Sequence, residues 1–157
     1  MITTELTRAL QQLRAGEVVA IPTETVYGLA ACVSKPAAVL KVFSLKQRPL
    51  SHPLIVHVAK DMPLMPWVEE ISPIARALMA RFWPGPLTLI FPTSPQKVSP
   101  AITGGQPTVA IRCPAHLIAQ ALLAELGEPV VAPSANPFGR LSPTTAMHVQ
   151  QGFAKED

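Results

Sequence analysis

The sequence is poor in charged residues, aromatic residues and cysteine. Charged residues make up 15% of the chain and aromatic residues 5%, and only two of the 157 residues are cysteines. The low charge favours buried strands over a large solvated helical surface. Cys32 and Cys113 are too few for a disulfide framework and neither belongs to a CxxC pair, so we expect both to be small buried residues. The four histidines have no histidine or cysteine at metal-ligand spacing, and we predict no metal held by the protein.

Segments that would signal a membrane protein or a familiar nucleotide-binding fold are also absent. The chain has no run of about eighteen apolar residues, and its N-terminus lacks the basic and apolar regions of a secretory signal, so we expect a cytoplasmic protein without membrane contact. It has neither a GxGxxG motif nor a GxxxxGKS/T motif, which excludes a dinucleotide-binding fold and a Walker phosphate loop. No GxSxG motif surrounds Ser134, which argues against a serine acyl-enzyme nucleophile.

Proline is abundant instead, with 18 residues at the boundaries of the predicted elements, about twice the usual share. Apolar periodicity predicts helices at 6–13, 36–45, 72–82, 115–126 and from 142 onward, with Ser34 as the cap of the second. Strands are predicted at 17–21, 26–32, 54–58, 87–91, 108–111 and 129–132, and a long loop that could cover a site at 93–107. The length fits one domain, 1–157, and the pattern predicts a mixed α/β fold with helices on a twisted sheet.

Two short polar segments are the strongest candidates for a binding site. Lys46 and Arg48 are two residues apart on a turning segment, so both would reach one side and suit an anion with several oxygens. Ser134 and Asn136 lie in a proline-bounded turn after an apolar strand, and strand ends are where open α/β sheets bind ligands. From the residues alone, a solvated basic turn and an Asx-type turn are the simpler explanation of these segments.

Two further pairs of polar residues follow or occupy predicted strands. Thr23 and Thr25 flank Glu24 in the turn after the first strand, where their hydroxyls could bind a polar ligand or cap main-chain groups. We expect Glu24 to form an ion pair. Thr108 and Arg112 are four apart on one strand and therefore share a face, which suits binding of a carboxylate or phosphate; the alternative is a surface salt bridge.

The order of these segments resembles one family. The matching blocks are PTETVYGL at 22–29, KQRP at 46–49, PLIVHV at 53–58, WPGPLT at 83–88, TVAIR at 108–112, PSAN at 133–136 and SPTTA at 142–146. In this order they resemble the YrdC-like domain of the threonylcarbamoyl-AMP synthases, over nearly the whole chain to about Val149. The resemblance implies an open, concave mixed sheet flanked by helices, with the ligand site in its cavity.

The resemblance also implies an enzyme, a nucleotidyltransferase. Its reaction would form L-threonylcarbamoyl-AMP and pyrophosphate from L-threonine, bicarbonate or CO2, and ATP. The product would serve N6-threonylcarbamoyladenosine (t6A) modification at position 37 of tRNA, through downstream tRNA threonylcarbamoyl-transfer proteins. Since no carboxylate cluster is visible, we expect Mg²⁺ to arrive on the triphosphate.

Residue roles come from the same resemblance. It implies ATP contacts from Lys46, Arg48, Thr108, Ser134, Asn136 and Ser142, and threonine contacts from Thr23, Thr25, His52 and Arg112. Lys46 and Arg48 would carry the catalysis by neutralising the triphosphate and the leaving pyrophosphate. Without the resemblance, His52 would be a solvent-facing loop histidine, whereas we expect His57, at the end of a strand, to be structural.

The chain departs from the family pattern in two places. Phe138 stands where the family form Asn-x-Ser-Gly has serine, which removes one hydroxyl near the nucleotide. The family continues beyond Asp157 with a further strand, so we expect the C-terminal family segment to be absent. The predicted polar tail at 150–157 would then leave a sheet edge open, where a second copy could pair as an oligomer.

Two alternative functions are also compatible with the sequence. A non-catalytic RNA-binding module, for double-stranded RNA or tRNA, would use the net charge of +3 on the same concave surface, although 5% aromatic residues is thin for stacking on unpaired bases. A carbamoyl-transfer domain of the hydrogenase-maturation type shares the domain. That type usually sits in a longer chain with zinc-finger and acylphosphatase parts.

Overall fold

Six short strands form one mixed sheet in the computed structural model, which describes residues 1–154. The strands are β1 (Val19–Ile21), β2 (Gly28–Cys32), β3 (Ile55–His57), β4 (Thr88–Pro92), β5 (Thr108–Arg112) and β6 (Val130–Val131). Their order across the sheet is β1-β2-β6-β3-β5-β4. β3 and β5 run parallel, and the other neighbours run antiparallel. The predicted mixed α/β architecture with a mixed open sheet is confirmed.

Within residues 1–154, six helices flank the sheet. They are α1 (Leu6–Arg14), α2 (Pro36–Lys46), α3 (Pro73–Phe82), α4 (Pro100–Thr103), α5 (Leu117–Leu126) and α6 (Ala146–Gly152). The start of α3 is set as predicted, because the Ser72 hydroxyl accepts a hydrogen bond from the Ala75 N–H at 3.2 Å. None of these helices, within residues 1–154, is long and apolar enough to cross a membrane.

Two predicted boundaries are wrong. Ser34 does not cap α2, because the N-cap position is Lys35 and the helix begins directly at Pro36. The last helix begins at Ala146 rather than at 142, since the Thr145 hydroxyl caps it by accepting from the His148 N–H at 3.1 Å. The carbonyl of Pro143 is held outside the helix, where it accepts a hydrogen bond from the Tyr27 N–H at 2.8 Å.

The segment 93–107, predicted as a loop over a site, contains a short helix and contributes four buried residues. It contains α4, in which Ile102 and Thr103 are buried. The Ile102 carbonyl accepts a hydrogen bond from the Leu54 N–H at 2.8 Å, which ties α4 to the start of β3. Of the polar tail predicted at 150–157, residues 150–152 belong to α6 and Phe153 packs against the core. Residues 155–157 lie outside the described residues.

Two apolar clusters cover the two faces of the sheet. One lies between the sheet and α2 and α4, and the other between the sheet and α1 and α5. β2 is buried on both faces, which explains its unbroken apolar run GLAAC. Both cysteines are buried and free, as predicted.

The side chains of β3 and β5 alternate between the core and the open face of the sheet. Val56 and Ile111 pair in register and enter the core. His57 and Arg112 are the next pair in register, so they lie side by side on the opposite face. The fold therefore places an imidazole and a guanidinium together at one end of two parallel strands.

Candidate active site

A cavity of about 330 Å³ opens where five segments meet: the turn after β1, the loop after α2, the strands β3 and β5, and the turn after β6. Its walls are formed by Thr23, Thr25, Val26, Gly28, Arg48, Pro53, Ile55, His57, Arg112, Ala132, Pro133 and Ser134. The volume lies at the lower end of the range for small-molecule sites, roughly 300–1,000 Å³. Its polar residues come from separate parts of the chain and converge on one space.

A second cavity of about 340 Å³ lies beside α5 and lacks such convergence. Lys60, Asp61 and Gln120 contribute its polar groups. Gln120 is already used, since its oxygen accepts from the Lys60 N–H at 2.9 Å and its amide donates to the Pro114 carbonyl at 2.7 Å. The cavity beside Arg112 is therefore the better candidate for a functional site.

The turn after β1 is built by Thr23. Its hydroxyl donates to the Val26 carbonyl at 2.6 Å and accepts from the N–H groups of Thr25 and Val26 at 3.3 and 3.2 Å. The hydroxyls of Thr23 and Thr25 lie 3.0 Å apart, so they pair with each other at the cavity wall. Thr23 thus has the capping role that the sequence left open, and it still lines the cavity.

The floor of the cavity depends on a glycine. Gly28 begins β2 and forms an antiparallel bridge with Ser134. A Cβ atom at position 28 would lie 3.0 Å from the Cβ of Ala132 and 3.3 Å from its carbonyl oxygen. A side chain at this position would push Ala132 away by a few tenths of an ångström, so the glycine favours the close approach that brings the turn after β6 against the turn after β1.

Arg112 is the centre of the best-connected polar group in the cavity. Its guanidinium donates to the Glu24 carboxylate at 2.7 Å, to the Thr25 hydroxyl at 3.1 Å and to the Gly85 carbonyl at 3.3 Å. Glu24 therefore forms the ion pair that we predicted. Burial acts to raise the pKa of Glu24, but the hydrogen bond and charge of Arg112, together with main-chain hydrogen bonds, hold this pKa below its ordinary value.

His57 lies beside Arg112 in the cavity wall and is 3% exposed. Its Nδ1 atom lies 3.4 Å from the Ile55 carbonyl. Burial and the charge of Arg112 lower the pKa of His57 to about 4, so the imidazole is neutral at neutral pH. Its burial is compatible with the structural role that we predicted, and it also forms part of the cavity wall.

Lys46 is buried behind the cavity rather than exposed within it. It is the last residue of α2 and 1% exposed, and its ammonium donates to the carbonyls of Ser134 at 2.5 Å and Asn136 at 2.6 Å. Burial, with the charge of Arg48, lowers the pKa of Lys46 to about 8. Lys46 therefore ties the turn after β6 to the end of α2.

Lys46 and Arg48 take different positions around the cavity. They are separated by Gln47, which has a left-handed backbone with φ of 52° and ends the helix. The chain therefore turns between the two cations, so that Lys46 points inward and Arg48 lines the cavity. The Arg48 guanidinium donates to the carbonyls of Pro53 at 2.9 Å and His52 at 3.4 Å.

The remaining predicted site residues divide around the turn after β6. Ser134 lines the cavity. Asn136 lies behind it and donates through its amide nitrogen to the carbonyls of Pro137 and Arg140, both at 2.8 Å. Its side-chain oxygen is buried and accepts no hydrogen bond within residues 1–154.

Besides Lys46 and Asn136, three further predicted contacts lie outside the cavity wall. Thr108 is at the opposite end of β5 from Arg112, so sharing a face does not bring it to the cavity. Ser142 and His52 are exposed. The His52 ring packs edge-on against Phe138, with 5.3 Å between ring centroids. Their roles in ligand binding stay predictions.

Residues 11–157 match the sequence profile of the Sua5/YciO/YrdC family, whose description is telomere recombination. The chain belongs to this family. It is 50% identical over 145 residues to the threonylcarbamoyl-AMP synthase of Bacillus subtilis, a match covering 92% of the chain and 42% of that relative. To the threonylcarbamoyl-AMP synthase of Idiomarina loihiensis it is 43% identical, over 87% of the chain and 74% of the relative.

Among solved structures, the crystal structure of Pyrococcus abyssi Sua5 in complex with L-threonine superposes with a TM-score of 0.90 at 47% identity. That match covers 94% of this chain and 43% of the P. abyssi chain. The chain thus spans about two fifths of the length of the B. subtilis and P. abyssi relatives. These matches confirm the family resemblance that the ordered sequence blocks indicated.

Proposed function

We propose that this member of the family binds L-threonine and ATP in the cavity beside Arg112 and forms L-threonylcarbamoyl-AMP and pyrophosphate. One observation carries the proposal: the cavity joins a wall of Thr23, Thr25 and Arg112 to a wall of Arg48 and Ser134. The first wall suits an amino acid with a hydroxyl, and the second suits a phosphate chain. The names of the relatives and the L-threonine in the P. abyssi complex support this assignment.

The amino-acid end of the reaction fits the first wall. Arg112 offers a cation for the threonine carboxylate, and its own position is fixed by Glu24 and the Gly85 carbonyl. The hydroxyls of Thr23 and Thr25 offer partners for the substrate hydroxyl. The neutral imidazole of His57 adds no positive charge that would repel the threonine amine at neutral pH.

The phosphate end of the reaction fits the second wall. The carbamate of threonine is an anion, and its oxygen must attack the α-phosphorus of ATP while the bond to the pyrophosphate leaving group breaks. Fixed cations lower the cost of bringing these negative charges together and stabilise the charge on the leaving group. Arg48 is placed to do this, while Lys46 holds the turn that carries Ser134. Mg²⁺ would arrive with the triphosphate.

The product is a mixed anhydride that a transfer reaction must consume. We propose that tRNA threonylcarbamoyl-transfer proteins use it for t6A at position 37 of tRNA, in the cytoplasm where tRNA and ATP are found. The RNA-binding alternative is less well supported, because two of the basic residues it would use are already engaged within the fold. Lys46 is buried, and Lys41 is paired with Glu17 at 2.8 Å.

Pyrophosphate release tests the reaction. We expect release from ATP only when L-threonine and bicarbonate are both present, because the carbamate is the nucleophile. Reactions lacking either one serve as controls, and the mass of the nucleotide product identifies the adenylate. Pyrophosphate formed equally well without threonine would show a different reaction.

Amino-acid choice gives a separate prediction. L-Threonine should raise the melting temperature, whereas L-valine, which has a methyl group in place of the hydroxyl, should leave it unchanged. A site that hydrogen-bonds a hydroxyl rejects the analogue that lacks it, because its own polar groups are then unpaired. A ligand at one hundred times its Kd adds about 2.7 kcal/mol, which corresponds to several °C for a domain of this size. Equal shifts with both amino acids would remove Thr23 and Thr25 from the recognition of the hydroxyl.

A further inference from the structure

The aromatic ring of Phe138 lies beside Arg48, one of the cations that line the cavity. The ring is 46% exposed. Its centroid lies 6.0 Å from the Cζ atom of Arg48 and 5.3 Å from the centroid of the His52 ring, at an interplanar angle of 67°. The first distance is within reach of a cation–π interaction, and the second is typical of an edge-to-face aromatic pair.

The main chain fixes this arrangement from both sides. The Phe138 N–H donates to the Lys46 carbonyl at 2.7 Å, which attaches the turn after β6 to the end of α2. On the other side, the Arg48 guanidinium donates to the carbonyls of His52 and Pro53. Phe138 therefore supplies an aromatic contact to the Arg48 guanidinium. The hydrogen bonds of that guanidinium within residues 1–154 go to two main-chain oxygens of its own loop.

We propose that Phe138 is a positioning residue that holds the Arg48 guanidinium in the orientation in which it binds phosphate. An arginine side chain loses rotamer freedom when it binds an anion, and a side chain already held in place loses less. The neighbouring carbonyls use some of the N–H donors, and the ring holds the guanidinium without using any donor. The phosphate ligand rests on the proposed function, whereas the effect on Arg48 does not.

Anion binding gives the first test. Phe138→Leu keeps an apolar side chain but removes the aromatic face, and it should weaken binding of inorganic triphosphate about two- to fivefold. ATP should weaken by the same factor, and Phe138→Tyr should restore both affinities. Titration calorimetry measures them. A loss confined to ATP would mean that the ring stacks on the base, and an unchanged triphosphate affinity would mean that it does not act on Arg48; either result overturns the proposal.

The matched control is Phe82→Leu. Phe82 is 49% exposed on α3, carries Arg81 over its ring at 5.5 Å and lies outside the cavity wall. This variant makes the same chemical change at a similar cation–π pair and should leave triphosphate affinity unchanged. If it weakened binding as much as Phe138→Leu, the effect would be a general one, and the proposal would be wrong.

An NMR measurement without any ligand separates this inference from the proposed function. The NMR signal of the Arg48 Nε–Hε group, assigned by its loss in Arg48→Lys, should move in Phe138→Leu because the ring current of Phe138 is removed. It should stay near its original position in Phe138→Tyr. If the signal is the same in wild type and Phe138→Leu, the positioning role fails even if ATP binds. If ATP and triphosphate do not bind but the signal moves, the proposed function fails and the contact to Arg48 stands.

Discussion

Replacing Arg112 with alanine should lower the free energy of unfolding by about 3 kcal/mol and abolish L-threonine binding. The substitution leaves the Glu24 carboxylate without its cation, and breaking a buried ion pair costs roughly 3–5 kcal/mol. The lower end of that range applies, because the Glu24 side chain is 22% exposed and keeps some contact with water. The same change removes the cation that we assign to the threonine carboxylate.

Urea denaturation at pH 7 and calorimetric titration with L-threonine measure the two effects. Lys41→Ala is the matched control, because the Lys41–Glu17 pair has a similar separation, 2.8 Å against 2.7 Å, but side chains that are 45% and 50% exposed. We expect it to cost less than about 1 kcal/mol. Equal and small losses in both variants would show that burial adds nothing to the Arg112 pair.

The Arg112–Glu24 ion pair should also make stability depend on pH. The pKa of Glu24 is lowered in the folded state from its ordinary value of 4.5. The ionised carboxylate therefore stabilises the fold at pH above 4.5, and this contribution is lost as the pH falls through the lower, folded pKa. In Arg112→Ala the loss at acidic pH should be smaller than in the wild type, because the cation that lowers the pKa is gone.

Arg48→Ala should mainly weaken ATP binding, whereas Lys46→Ala should mainly lower stability. Arg48→Ala should weaken ATP binding about ten- to a hundredfold with little change in stability, since it removes a charge-assisted contact from a partly exposed residue. Lys46→Ala should lower the free energy of unfolding by about 2–4 kcal/mol, because the carbonyls of Ser134 and Asn136 lose their donor in a buried site. Any loss of ATP binding by Lys46→Ala then follows from a displaced turn.

Denaturation curves and ATP titrations on the same preparations separate the two cases. Lys97→Ala is a control for Lys46→Ala, because Lys97 also donates to two main-chain carbonyls, those of Met65 and Val68, but outside the cavity wall. It should lower stability less, since its side chain is 28% exposed, and leave ATP affinity unchanged. If Lys46→Ala weakened ATP binding without a loss of stability, Lys46 would be a direct phosphate ligand.

The helices and strands could be predicted because their signals are local. Leu6, Leu10 and Leu13 lie at helical spacing, and Ser72-Pro73 is a good helix start, so α1 and α3 were predicted correctly. The errors occurred where long-range contacts decide the structure. The segment 93–107 reads as a loop, yet α4 forms there because Ile102 packs into the core and bonds to Leu54.

Only part of the candidate site could be predicted, because local segments place some of its residues and long-range contacts place the others. Thr23, Thr25, Arg48, Arg112 and Ser134 line the cavity, and all five were chosen from segments that resemble the family. The burial of Lys46 follows from the left-handed turn at Gln47 and from carbonyls far along the chain, which no local pattern reveals. His57 enters the cavity wall through its register with Arg112 across a parallel strand pair, and pairing between distant strands cannot be read from one strand's residues.

The hydrogen bonds that close the cavity also set when the site can exist during folding. Those from Lys46 to the turn after β6 span 88 and 90 positions, and those from Arg112 to Thr25 and Glu24 span 87 and 88. Contacts of such high sequence separation pay a large loop-closure cost before they form, so they belong to the slow part of folding. A ribosome making this chain must therefore deliver the turn after β6 before the cavity can form. The cavity is assembled by contacts between distant parts of the chain, and its formation belongs to a late stage of folding.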